Sequence, residues 1–116
     1  MASHSIADRV AIVGMGCTPF GERWDMSLDD LIIDASESTL ASAGMVADDV
    51  DAFWFGTSQS AASGIALATP LRLVGKPVTR VENYCATGSE SLRQACLSLI
   101  HISEPTRRTP ISYAVF

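Results

Sequence analysis

Between Val10 and Cys96, short apolar runs alternate with stretches of helical periodicity, and few folds accept that order. The first run is Val10-Ala-Ile-Val-Gly-Met-Gly16. It is apolar at successive positions and ends in glycines, which predicts a strand buried on both faces, as in a parallel sheet. A turn region, residues 17–25, follows with Pro19 and Gly21. Ser27 then opens a helix: Ser27 and Asp30 have capping-box spacing, and Asp29 and Asp30 suit the positive end of the helix dipole. Leu28, Leu31, Ile32, Ala35, Thr39, Leu40 and Ala43 recur at helical spacing as a buried face, with Asp34, Glu37, Ser38 and Ser42 on other faces. Gly44 suits a left-handed cap.

After an acidic turn at Asp48-Asp49, Asp51-Ala-Phe-Trp-Phe-Gly56 predicts a second strand. Residues 57–64 are small and polar and predict a loop. Residues 65–74 predict a second, weaker helix, in which Pro70 is tolerated only in a first turn or at a kink. Lys76-Pro77 punctuates the chain. Val78 to Tyr84 alternates apolar and polar side chains and predicts a third strand. From Ala86 onward the chain is rich in small residues and enters a third helix through Ser91-Leu-Arg-Gln-Ala-Cys96. The predicted order is β-α-β-α-β-α, an α/β class with a layered sheet and right-handed crossovers.

Composition narrows the function. The net charge of -5 provides no basic footprint for nucleic acid or an anionic membrane. No apolar run reaches the roughly 18 residues of a membrane span, and Met1-Ala-Ser-His-Ser has no secretory-signal pattern. Cys17, Cys85 and Cys96 form an odd set without CxxC spacing. That pattern fits a reducing, cytoplasmic location better than a disulfide scaffold or a zinc site.

One segment carries chemistry: Val81-Glu-Asn-Tyr-Cys85-Ala-Thr-Gly-Ser-Glu90. Here a cysteine falls at a strand-to-helix junction. The N-terminus of a helix presents unsatisfied N–H groups and partial positive charge, which favour a thiolate. The same N–H groups suit an oxyanion developing on an acyl group attacked by sulfur. Ala86 and Gly88 are small enough to let a substrate approach. The spacing is equally compatible with a buried, inert cysteine.

The stretch from Arg80 to Ala95, Arg-Val-Glu-Asn-Tyr-Cys-Ala-Thr-Gly-Ser-Glu-Ser-Leu-Arg-Gln-Ala, resembles the nucleophile segment of thiolases, especially the sterol-carrier or lipid-transfer branch. Residues 10–21 resemble that branch's first strand and turn, and Asp51–Gly56 falls where its second strand would. The resemblance covers residues of about 8 to 96 and implies an incomplete portion of a thiolase-type layered fold. By resemblance, Cys85 takes an acyl group from acyl-CoA as a thioester, for Claisen condensation or thiolysis, and its backbone N–H joins the oxyanion hole. Acyl-CoA and CoA are then substrates, with no permanently bound cofactor and no metal. The resemblance further implies a homodimer or higher oligomer. A thiolase-fold carbon–carbon lyase, or a scaffold for an OB-fold partner in lipid or sterol metabolism, is the alternative. Ketosynthases and hydroxymethylglutaryl-CoA synthases also start a helix with a cysteine, but with different flanks. The family's activating histidine, its oxyanion histidine or asparagine, and its second cysteine have no counterpart here: His4 and His101 match no family motif. The 116-residue chain is therefore expected to be inactive by itself.

Other signals have simpler readings. Gly14-Met-Gly16 would begin a dinucleotide loop, but the third glycine position is Pro19, so a tight turn is expected. Cys17 is expected as a small buried turn residue. Cys96 lies too far along the helix from Cys85 to pair with it. The acidic residues from Asp25 to Asp51 are expected on a solvated face and at a helix cap. Trp24, Phe53, Trp54 and Phe55 are expected in a core or interface.

The chain's end differs in kind. At Leu97 the helical pattern is expected to stop abruptly, and Pro105 and Pro110 forbid continuing it. Residues 97–107, Leu-Ser-Leu-Ile-His-Ile-Ser-Glu-Pro-Thr-Arg, resemble the in-frame translation of a sequencing-library transposase end and its extension. Residues 111–116, Ile-Ser-Tyr-Ala-Val-Phe, resemble the outer primer, and Arg108-Thr109-Pro110 fills the place of a sample index. The expected division is a truncated N-terminal part of a thiolase-like domain over 1–96 and an adapter-derived tail over 97–116.

Overall fold

The computed structural model describes residues 6–101 and 112–115. The expected strand–helix alternation is an α/β arrangement, though its members differ at both ends. Helix α1 spans Leu28–Ala43, strand β1 Ala52–Gly56, the short helix α2 Ile65–Ala68, strand β2 Val78–Val81, helix α3 Thr87–His101 and strand β3 Ser112–Val115. The strands form one sheet of order β2-β1-β3. Both pairings are parallel, with Phe53 opposite Val78 on one side and Tyr113 on the other.

Helix α1 begins and ends where its sequence demands. The Ser27 hydroxyl accepts the Asp30 N–H at 3.2 Å, and Asp30 Oδ2 accepts the Ser27 N–H at 2.9 Å. Gly44 closes the helix at φ 67, a conformation glycine takes without a Cβ clash. The deepest residues are Ile32 and Ser36. The other members of the expected apolar face are half-buried, so the face centres on a serine that hydrophobic spacing passes over. Asp34, Glu37, Ser38 and Ser42 are exposed, as expected.

The cap makes α1 sensitive to acid. The Ser27 backbone N–H, then its hydroxyl, hold the Asp30 carboxyl below the ordinary aspartate value. A depressed folded value contributes stability above the unfolded value, and that contribution disappears as pH falls through the folded one. Fraying of the first turn of α1 is therefore expected below about pH 4. Amide exchange from Leu28 to Leu31 should accelerate there in the wild type, with that step absent in Asp30→Asn. Ser27→Ala should lower stability by roughly 1 kcal/mol near neutral pH.

Strand β1 is the centre of the packing. Side chains of a strand alternate between faces. Phe53 and Phe55 accordingly join Ile32, Val50 and Leu67 in one cluster, while Trp54 packs with Val81 and Ala95 in another. The aromatic run is thus buried on both faces, as a strand between two layers must be. Trp24, also expected in a core or interface, is 88% exposed. Lys76 Nζ donates to the carbonyls of Asp48 and Val50, which ties the turn before β2 to the approach to β1.

Several expectations need correction. Residues 10–16 form no strand. In this chain β2 takes one edge of β1, and β3, which lies in the adapter-like tail, takes the other. The segment lies along α1 instead: the Met15 N–H donates to Ser42 Oγ at 3.2 Å, and Ile12, Val13 and Met15 stay exposed. Its glycines permit this close approach and not a turn. A Cβ on Gly14 would meet that of Ala43 at 2.7 Å, and one on Gly16 would meet the Thr39 backbone nitrogen at 2.5 Å.

The second helix is shorter than the expected 65–74 and stops at Ala68. Pro70 has no N–H to continue the ladder, and the chain proceeds through turns to Arg72 at φ 52. The third strand ends at Val81, before Tyr84. The third helix continues past Cys96 to His101. The adapter-like features at 102–111, including Pro105 and Pro110, lie outside the described residues.

Candidate functional site

Parallel strands bring their carboxyl ends to one side of a sheet, and that side is where open α/β sheets bind ligands. The carboxyl ends of β1 and β2 lead into residues 57–64 and into the Cys85 segment respectively. The Thr57 N–H bonds the Val81 carbonyl at 3.2 Å across the two strand ends. Arg80 reaches back from β2, with Nε on the Ala61 carbonyl at 2.7 Å and a terminal nitrogen on the Ser58 carbonyl at 2.9 Å. The loop is thereby anchored beside the strand that delivers Cys85.

Cys85 occupies the middle of a single 3-10 turn, Tyr84–Ala86, which runs directly into α3. Cys85 is exposed in this chain. The expected helix-start position holds, with one turn of tighter helix interposed. The Ala86 N–H bonds the Asn83 carbonyl at 3.0 Å. The Thr87 hydroxyl accepts the Asn83 N–H at 2.8 Å and donates to the Tyr84 carbonyl at 2.7 Å. Tyr84 lies at φ 47, in the left-handed region. Further along α3, the buried Ser91 hydroxyl donates to the Thr87 carbonyl at 3.1 Å. Ser91 and Ala95, four positions apart, are the buried residues of α3. Glu90 accepts bonds from Arg93 at 2.9 Å and Gln94 at 3.0 Å, which keeps its carboxylate on the helix surface.

The other cysteines do not join this site's bonding. Cys17, expected to be buried, is exposed, and its thiol donates to the Thr18 carbonyl at 3.1 Å. No ladder holds residues 10–16, so the following turn has no sheet to be buried against. Cys96 is half-buried on α3, and all three cysteines are free. His4 lies outside the described residues, and His101 closes α3. Spacing passed over two members of the site. Thr87 carried a usable signal, a hydroxyl residue at a helix start, whereas nothing in sequence marks a tyrosine for positive φ.

No family model matches the chain. Curated relatives do. An acetyl-CoA acetyltransferase of Methanocaldococcus jannaschii is 39% identical over 98 residues, covering 78% of this chain and 24% of that protein. An acetyl-CoA acetyltransferase of Methanothermobacter thermautotrophicus is 34% identical over 97 residues, covering 78% of this chain and 25% of that protein. Sterol carrier protein 2 of Gallus gallus is 36% identical over 88 residues, covering 72% of this chain and 16% of that protein. The chain spans about a quarter of the length of the two acetyltransferases. Among the described residues, no helix is long and apolar enough to cross a membrane. The relatives agree with the Cys85 segment and the α/β layering in pointing one way, and the chain belongs to the thiolase-type family.

Proposed function

We propose that this chain carries the nucleophile of a thiolase-like acyl-CoA acyltransferase and that Cys85 is that nucleophile. The observation that carries the reading is an exposed cysteine in the turn that starts α3, at the carboxyl end of parallel strands. In the reaction, Cys85 Sγ bonds to the acyl carbon of acyl-CoA while the carbon–sulfur bond to CoA breaks. CoA leaves as its thiol and carries away the proton that Cys85 gives up. In condensation a carbanion then attacks the thioester carbon and expels the Cys85 thiolate; in the reverse, thiolytic direction that carbon–carbon bond breaks as the acyl group moves to Cys85, and CoA then expels the thiolate. Backbone N–H groups at the start of the helix, that of Cys85 among them, serve the developing oxyanion.

The activity belongs to a longer protein. A positioned general base contributes roughly 10²–10⁴-fold, and neither His4 nor His101 matches a motif that would supply one. The 116-residue chain alone is therefore expected to turn over no acyl-CoA. Its tail, residues 97–116, is read as translated adapter. In support, the acetyltransferase matches leave about a fifth of the chain uncovered. A homodimer, a cytoplasmic location and an OB-fold partner belong to the same reading. The free cysteines support a reducing compartment.

Two experiments decide it. Incubating the full-length protein with acetyl-CoA or a longer acyl-CoA should give an acyl mass increment on the Cys85 peptide. No adduct from any acyl-CoA on the folded protein would remove the acyltransferase reading and favour the lyase or scaffold alternative. Sequencing the uninterrupted gene past the Cys96 codon should replace the Leu97-Ser-Leu-Ile-His frame. Finding that frame in an independently prepared library would overturn the adapter reading.

A further inference from the structure

The chain has only residues 82–83 and one 3-10 turn in which to leave β2 and start α3. It accomplishes this with Asn83 at φ -154, ψ 51 and with Tyr84 at φ 47. A non-glycine residue in the left-handed region carries a steric penalty, because its Cβ crowds the following carbonyl oxygen. The Tyr84 side chain provides no packing to offset it, being 85% exposed. The bend is held by two backbone bonds, from the Ala86 N–H to the Asn83 carbonyl and from the Thr87 N–H to the Tyr84 carbonyl, and by one side-chain hydroxyl that spans it. Thr87 Oγ1 takes the N–H on the entry side of the bend, from Asn83, and gives its proton to the carbonyl on the exit side, of Tyr84. Thr87 is itself fixed from below: its carbonyl accepts the hydroxyl of Ser91, whose exposure is 0%.

We propose that Thr87 is a positioning residue for Cys85: its hydroxyl locks the strained Asn83–Tyr84 bend and so sets the direction in which the exposed thiol meets an acyl carbon. The inference rests on Cys85 being the acyl acceptor. A buried side chain is aimed by its neighbours, whereas the direction of an exposed thiol comes from the backbone that carries it. Acyl transfer is sensitive to such aim, since a misplacement of about 1 Å can slow a reaction roughly 10²-fold.

The test uses the full-length protein and phenyl thioacetate, an activated thioester whose thiophenolate leaves without help from a protein acid. Cys85 Sγ bonds to the acetyl carbon, the carbon–sulfur bond to thiophenolate breaks, and the thiol proton goes to buffer. The readout is the ratio of S-acetylation at Cys85 to that at Cys17 in the same molecule. Thr87→Val is expected to lower the ratio about tenfold, and Thr87→Ser to keep it within about twofold of wild type. An unchanged ratio in Thr87→Val, or an equal fall in Thr87→Ser, would overturn the role of the hydroxyl and leave Cys85 as acceptor. A wild-type chain that acetylates Cys85 no faster than Cys17 would remove the reading of Cys85 itself, and this inference with it. Because Thr87→Val can also loosen α3, Tyr84→Gly provides a second arm. Glycine accepts positive φ without strain, so adding Thr87→Val in that background should lower the ratio less than about threefold. A full tenfold fall there would overturn the inference.

Discussion

Cys85→Ala in the full-length protein is expected to lower acyl transfer from acyl-CoA by on the order of 10⁶-fold, the scale on which loss of a covalent nucleophile acts. The acyl increment on the Cys85 peptide should vanish with it. In the 116-residue chain folding should be unaffected, because Cys85 is exposed there and joins neither hydrophobic cluster. A change in unfolding free energy within about 0.5 kcal/mol is expected, as for other surface substitutions. Cys17→Ala is the matched control. Cys17 is also exposed, but it precedes α1, remote in sequence from the strand ends that deliver Cys85, and its loss should leave transfer intact. Transfer that survives Cys85→Ala would assign the acyl group to another residue.

Phe53→Ala is expected to destabilise the chain by about 3–5 kcal/mol, measured by urea unfolding followed by circular dichroism. Phe53 is 1% exposed and lies on β1, the strand to which both others pair. Its ring joins Ile32, Val50, Phe55 and Leu67, so removing it opens a cavity between the sheet and the α1 side. Domains of this size are stable by only about 5–15 kcal/mol. The loss should therefore lower the melting temperature by more than about 10 °C. Trp24→Ala removes a larger side chain that is 88% exposed and should change stability by less than about 0.5 kcal/mol. Equal effects at the two positions would mean that β1 is not the centre of the core.

What the sequence determined by itself was local. Ser27, Asp30 and Gly44 specify the two ends of α1 because each cap is completed by atoms within a few residues. The aromatic run at 53–55 specifies a doubly buried strand because alternation forces its side chains to both faces. The Cys85 segment was legible for a similar reason: a strand, a small-residue turn and a helix are contiguous in the chain. Gly14 and Gly16 read as a turn in the sequence but admit the backbone of α1, because a glycine that serves one purpose looks like a glycine that serves the other.

Tertiary structure decided the rest. Residues 10–16 have the composition of a buried strand, but in this chain both edges of β1 are held, one by Val78–Val81 and the other by Ser112–Val115 of the adapter-like tail. Whether Cys85 is covered depends on how α3 leaves the sheet, and in this chain it is exposed. The bend at Tyr84 is the sharpest case. Positive φ is unfavourable for tyrosine locally, and it persists because bonds from Thr87, itself anchored through buried Ser91, hold the backbone there. Local propensity can state the penalty of such a conformation, but only the assembled sheet and helix supply the contacts that offset it.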